Sequence, residues 1–184
     1  QAGYLDPKPL IEVNCRRIIE YVLDMFHEED VIFICNEKHL SETNIRNILE
    51  GLRPNCDIIS IPNHKLGPVF TVKQAFDSID DDEEVIISYC DGSYIWDRSH
   101  FNKYVKEKKL DGCILSHTGF HPHTLAETKM AYIKEKNSLV EEVKEKECYT
   151  DNPMKEHASS GTYYFSKGSY VKKYFRLALE NDLT

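Results

Sequence analysis

Lys8 stands between Pro7 and Pro9 in the stretch DPKPLIEV. Each proline fixes its own φ and biases the residue before it toward extended backbone, so Lys8 has little conformational freedom left to lose. A cation held this way gains when it meets a phosphate, because less entropy is lost as the contact forms. The plain alternative is an exposed turn lysine. Asp91, in VIISYCDG, sits at the carboxyl end of an apolar run. A carboxylate there, followed by Gly92, suits a hard cation such as Mg²⁺ with phosphate beside it. Aspartate also opens turns and caps helices, and Asp97 is a second, weaker candidate of the same kind. Gly67–Pro68 precedes a helical pattern, where backbone amides could approach a flat ring or a phosphate, or merely turn. Glu145 and Lys146 close a charged strand; that lysine could grip a second phosphate or blunt a sheet edge. His117, His121 and His123 fall within HTGFHPHT. The cluster invites a metal, but no further His/Cys set completes a site by spacing, and a pocket-lining loop with imidazole hydrogen bonds is the better reading. Neither a Ser/His/Asp arrangement nor a Walker lysine motif stands out.

The elements that must position these groups follow from periodicity. RRIIEYVLDMF places Ile18, Ile19, Val22, Leu23 and Phe26 on one helical face. VIFICN and CDIISI are short, β-branched and fully apolar, as strands covered on both faces are. Between them, SETNIRNILEGL reads as a helix with Ser41 as N-cap and Gly51 near its end. TVKQAFDSI is a helix with Val72, Ala75, Phe76 and Ile79 inward, and the acidic run from Asp80 is a solvated turn. VIISYCDG is a strand, SHFNKYVKEKK a helix and GCILSHTGF a strand. MAYIKEK and LVEEVKEK flank Asn-Ser as a hairpin. SGTYYFSK returns to strand, and SYVKKYFRLALEN is a terminal amphipathic helix. This order predicts an α/β class, a mostly parallel Rossmann-like sheet with helices on both faces. It predicts one domain over residues 1–184, with the hairpin as a small side lobe or lid.

Composition bounds the function. The 184 residues carry 23 basic and 31 acidic side chains, a formal charge of -8. Whole-surface attraction to nucleic acid or anionic membrane is therefore not expected, though a local cationic pocket is. No apolar run is long enough to span a bilayer, and no signal-peptide pattern opens the chain. Six cysteines lack C-x-x-C spacing, which argues against zinc and disulfides and for a reducing cytoplasm. Cys35, Cys90 and Cys113, in apolar runs, are expected to be buried and structural.

Taken together, the segments resemble the nucleotidyltransferases that make nucleotide-diphospho-sugars and related activated compounds. AGYLDPKPLIEVN is similar to the end of that family's signature loop, G-x-G-x-R-F, a spacer, then P-K-P-L. LGPVFTV resembles its nucleobase-contacting segment, YCDG its strand-end aspartate, VKEKECYTDNP its E-K-P strand, and SSGTYYF its N/S-G-x-Y-x-F strand. The resemblance covers essentially the whole chain. It implies that Lys8 contacts the phosphates of a nucleoside triphosphate and that Gly67 and Pro68 border the base. Asp91 would be a Mg²⁺ ligand, with Lys8 and Asp91 the catalytic pair, and Lys146, Glu145 and Gly161 would bind a small phosphorylated acceptor. The implied reaction is nucleotidyl transfer with release of pyrophosphate, in a context that often feeds surface or capsule polysaccharides. Mg²⁺ is the implied cofactor; nucleic acid and membrane are not implied partners. Tyr and Phe side chains near the C-terminus are available to a homo-oligomer interface or to the core.

Two features depart from the family pattern. Its first strand and glycine-rich loop precede the P-K-P segment, and its last elements, with a second metal-binding aspartate, lie beyond Thr184. The resemblance thus implies an excerpt of a longer protein that is itself inactive while its parent is active. In the acceptor segment, Glu147 and Cys148 follow Lys146 and the proline comes only at Pro153, which makes an ordinary hexose 1-phosphate less secure as acceptor and leaves a sugar phosphate, phosphocholine or another small phosphomonoester open. The alternatives are a glycosyltransferase of related fold, against which Asp91-Gly92-Ser93 replaces the usual Asp-x-Asp, and a degenerate nucleotide-binding domain without catalysis.

Overall fold

In the computed structural model, which describes residues 6–27, 29–121 and 130–183, contacts divide the chain into two compact units. The first holds Gln1–Val85, Cys90–Asp111 and Phe165–Thr184; the second holds Ile86–Tyr89 and Gly112–Tyr164.

In the first unit, Pro7 is extended but Lys8–Leu10 form a 3₁₀ turn, closed by the Leu10 amide on the Pro7 carbonyl at 2.9 Å. Lys8 is therefore the first residue of a tight turn, not an extended one. Pro9 is tolerated because its missing N–H falls where a helical turn leaves amides unpaired. A small hairpin follows: β1 (Glu12–Val13) pairs with β2 (Arg16–Arg17) across Asn14 and Cys15, both at positive φ. That is the backbone a two-residue hairpin turn demands, and it takes Arg16 and Arg17 out of the expected helix. The helix α1 spans only Ile18–Leu23. Ile19, Val22 and Leu23 are buried, and Met25 and Phe26 extend the apolar face in the turn beyond.

The strands β3 (Ile32–Asn36) and β4 (Asp57–Ile61) pair in parallel, Ile32 opposite Asp57 and Asn36 opposite Ile61. The connection is two helices, not the single one expected. Asn36 caps α2 (Glu37–Glu42) by accepting from the Lys38 amide at 2.8 Å. Ser41 lies inside α2 and donates to the Lys38 carbonyl instead of capping the next helix. Thr43 breaks the run: its hydroxyl donates to the His39 carbonyl and accepts from the Ile45 amide, and α3 (Ile45–Leu52) follows. After β4 comes α4 (Gly67–Lys73), which starts earlier than its apolar pattern because Pro68 is at home in a first turn. Ala75, Phe76 and Ile79 are buried as expected.

The helix α5 (Arg98–Lys108) is capped by Asp97, whose carboxylate accepts from the His100 amide at 2.8 Å. The acidic run is more than a solvated turn. It receives the amides of Gly168 and Ser169 at the start of α6 (Gly168–Glu180), on the Glu83 and Asp81 carbonyls, while Asp81 and Asp82 pair with Lys172 and Lys167. Val171 is then fully buried. Of the C-terminal aromatics, Phe175 packs edge-on against Phe165, and Tyr174 is half exposed.

The second unit is built on a five-stranded sheet of β5 (Val85–Ser88), β6 (Gly112–His117), β7 (Ala131–Lys136), β8 (Leu139–Glu145) and β9 (His157–Phe165). The long β9 lies between β5 and β7 and also pairs with β6; β8 is the edge beyond β7. Asn137 and Ser138, both at positive φ, make the hairpin turn of β7 and β8, as Asn-Ser between strand patterns foretold. Antiparallel pairing of β7 with both β8 and β9 contrasts with the parallel β3–β4 pair. Tyr132, Ile133, Ala158 and Tyr164 are buried, and buried Thr162 shares a hydroxyl hydrogen bond with Ser88 at 3.1 Å. No helix among the described residues is long and apolar enough to cross a membrane.

Candidate functional site

Within the first unit the fold brings Lys8 and Asp91 together across 83 residues of sequence: Lys8 Nζ donates to Asp91 Oδ2 at 3.0 Å. The 3₁₀ turn aims the lysine, and the loop after β5 carries the aspartate just beyond the strand end. The side chains are 75% and 38% exposed, so water screens the pair and it contributes little to stability. Such a pair can open toward an incoming anion or cation without loss of the fold. A single surface carboxylate fits Mg²⁺, which commonly takes one or two protein carboxylates and completes its shell with phosphate oxygens and water. Asp97 is occupied as a helix cap, which is the ordinary reading of that residue.

Gly67 and Pro68 open α4, and Gly67 lines one wall of a cleft of about 530 Å³. The cleft lies at the carboxyl ends of β3 and β4, lined by Ile34, Asn36 and Ile61 from the strands and by His64 and Thr71 beside Gly67. Strand ends of this kind are where open α/β sheets receive ligands. Gly67 has φ +81°, a conformation that favours glycine. His64 is a member of this site that its sequence position did not reveal. Its Nδ1 accepts the Leu66 amide at 3.2 Å, its Nε2 lies 3.2 Å from the Thr71 hydroxyl, and its ring stands edge-on to Phe70.

The acceptor-side candidates belong to the second unit. Lys146 follows β8 at φ +57°, with its amide on the Met130 carbonyl and its ammonium 3.6 Å from Glu145. Both side chains are well exposed. Next to them, Glu156 organises the turn at 149–152: its carboxylate accepts from the Tyr149 and Thr150 amides and the Thr150 hydroxyl, at 2.6–2.8 Å. Burial pulls this carboxyl up, but the three hydrogen bonds and nearby Lys144 outweigh it and hold Glu156 below the usual carboxylate range. Gly161, at φ +77°, is buried and lies against the Tyr89 ring. The Tyr89 amide also donates to the Gly161 carbonyl at 3.2 Å. Tyr89, half exposed above the glycine, is the second residue the sequence left unmarked; its place just before Cys90 and Asp91 was the available signal.

Two of the three clustered histidines lie close together. His117 and His121 rings lie 5.6 Å apart, and burial pushes the His117 imidazole below its ordinary value, toward the neutral form. His123 lies outside the described residues. Among the described residues no three His, Cys, Asp or Glu side chains are grouped to hold a metal ion. Cys35 and Cys113 are half buried in β3 and β6, whereas Cys90, in the loop beyond β5, is exposed, contrary to expectation. Burial raises the Cys35 thiol to about 11.

No protein-family model and no curated protein matches the chain. Solved structures do. A Bacillus anthracis protein assigned as a glucose-1-phosphate thymidylyltransferase, crystallised with sucrose, superposes with a TM-score of 0.69 at 15% identity, covering 91% of this chain and 65% of that one. UDP-glucose pyrophosphorylase complexed with UDP-glucose gives 0.65 at 15% identity, covering 92% and 71%. HddC from Yersinia pseudotuberculosis gives 0.61 at 18% identity, covering 91% and 70%. The chain thus spans about two thirds of the length of these proteins, and its mixed α/β fold is that of the sugar-phosphate nucleotidyltransferases.

Proposed function

We propose that this protein transfers a nucleotidyl group from a nucleoside triphosphate to a small phosphomonoester, a sugar phosphate foremost. The observation that carries this reading is the meeting of Lys8 and Asp91, in a fold shared with enzymes of that chemistry. A phosphate oxygen of the acceptor attacks the α-phosphorus, the bond from that phosphorus to the bridging oxygen breaks, and pyrophosphate leaves with the electron pair. The nucleophile is already an anion, so the protein supplies alignment and charge neutralisation, not a covalent intermediate.

Lys8 would leave Asp91 for the phosphates of the triphosphate. Asp91 would then hold Mg²⁺, whose contribution when bound is to neutralise charge on the phosphate oxygens. Gly67 and Pro68 would border the nucleobase. Lys146 and Glu145 would serve the acceptor, and Gly161 would act by making room for the Tyr89 ring. A cytoplasmic setting and supply of precursors for surface polysaccharide complete the reading.

The test is thermal stability of the protein with ATP, CTP, GTP, UTP and dTTP in turn, with and without Mg²⁺. A triphosphate at about a hundredfold over its Kd adds about 2.7 kcal/mol. A Mg²⁺-dependent shift for one of them is expected and selects the donor for pyrophosphate-release assays with a panel of sugar phosphates and phosphocholine. No shift with any triphosphate would sink the proposal.

A further inference from the structure

The hydrogen bonds around His64 form a chain with one possible polarity. The Leu66 amide donates to Nδ1 at 3.2 Å, so Nδ1 carries no proton and the neutral ring keeps its proton on Nε2. The Thr71 hydroxyl donates its only proton to the Gly67 carbonyl at 3.2 Å. The 3.2 Å contact of Thr71 Oγ1 with Nε2 must then run from the ring to the hydroxyl oxygen. The sequence of donors is Leu66 amide, His64, Thr71, Gly67 carbonyl. It ties the backbone on both sides of the Leu66–Gly67 peptide to one side chain. Gly67 sits at positive φ and the next residue, Pro68, has no amide to contribute, so this strap adds side-chain bonds where the helix begins.

We infer that neutral His64, acting through Thr71, is a positioning residue that sets the Gly67 wall of the cleft, where α4 begins, for the nucleobase. The inference rests on the proposed nucleotidyl transfer and on Gly67–Pro68 as the base-bordering segment. A second proton on the ring must go to Nδ1, where it removes the acceptor of the Leu66 amide. The other titratable groups lining the cleft, His39 on α2 and Lys65 beside His64, offer no compensation, because both are cationic when charged and no carboxylate lines it. The phenyl edge of Phe70 completes the surroundings of the ring at 4.8 Å.

Three variants separate the links. His64→Asn keeps an acceptor for the Leu66 amide, since an Asn side-chain oxygen reaches the amide two residues on, but it cannot reach Thr71 and does not titrate. Thr71→Val cuts the chain at the hydroxyl with the shape preserved, and Thr71→Ser restores the hydroxyl. The measurements are the Kd for ATP, CTP, GTP, UTP and dTTP by titration calorimetry with Mg²⁺ between pH 5.5 and 8.5, and the ¹⁵N shifts of the His64 ring in the free protein. The Nε2–H tautomer is expected. Thr71→Val should weaken the preferred triphosphate about three- to tenfold, Thr71→Ser should recover most of that, and His64→Asn, which cannot reach Thr71, should weaken it to a similar extent. An Nδ1–H ring, or unchanged Kd in folded Thr71→Val and His64→Asn, would overturn the inference while nucleotide binding by the wild type stands. A wild type that binds none of the five triphosphates would overturn the functional reading, and the inference with it.

Discussion

Substituting Gly161 by alanine tests how the sheet of the second unit seats Tyr89. An ideal Cβ at residue 161 would stand 2.3 Å from Tyr89 Cδ2 and 2.9 Å from Cε2, against 3.4–4 Å for ordinary contact. The ring must retreat by more than an ångström, although the Tyr89 amide is held by the Gly161 carbonyl. Overpacking of this kind costs about 1–3 kcal/mol, and alanine at φ +77° adds about 1–2 kcal/mol. The sum is about 2–5 kcal/mol, which in a chain of this size lowers Tm by roughly 4–20 °C. The assay is a double-mutant cycle by thermal and urea unfolding. Tyr89→Ala removes the ring, so Gly161→Ala in that background should cost only the backbone part, about 1–2 kcal/mol. A Gly161→Ala protein that melts within a degree of wild type would refute the contact. Costs that add in the double variant to within about 0.5 kcal/mol would place the strain elsewhere than on the ring.

Asp91→Asn should change stability by less than about 1 kcal/mol, because its partner Lys8 is a screened surface cation, yet abolish the Mg²⁺-dependent thermal shift with triphosphate; a full shift in the variant would remove Asp91 from the site. The Glu156 carboxyl is held below its ordinary value in the folded state, so its stabilisation is complete above the unfolded titration near 4.5 and is lost as pH falls through the lower folded value. Glu156→Gln should accordingly lower Tm at neutral pH and flatten the acid side of the Tm–pH profile; a parallel profile would show that the clamp on Thr150 does not depend on charge. Cys35, with its thiol raised to about 11, should resist iodoacetamide at pH 7.5 in the native protein while exposed Cys15 is alkylated, as peptide mass mapping can read; equal labelling would mean that β3 opens readily.

Sequence by itself determined the order of elements. Short apolar runs became β3, β4, β5 and β6, since a stretch rich in apolar residues is best served by burial on both faces. The Asn-Ser hairpin, the Asp97-capped α5 and the amphipathic α6 followed from local rules that need only neighbouring residues. Lys8 and Asp91 stood out by their types and flanks, and the structure brings the two together. Boundaries were less legible: Arg16 and Arg17 fit a helical pattern yet joined a hairpin, and α2 went unread because its six residues bury nothing fully and rest on an Asn36 cap.

Tertiary structure alone decided the partnerships. That Lys8 meets Asp91, that the acidic run receives the start of α6, and that Tyr89 lies over Gly161 all join residues far apart in the chain. The His64–Thr71 strap is local in sequence, but its polarity depends on where the Leu66 amide and the Gly67 carbonyl stand relative to the two side chains. Patterning fixes which face of an element is buried through free energy summed over many residues. A hydrogen bond depends instead on the position of one atom to within a few tenths of an ångström, and that position is set only when the elements have packed.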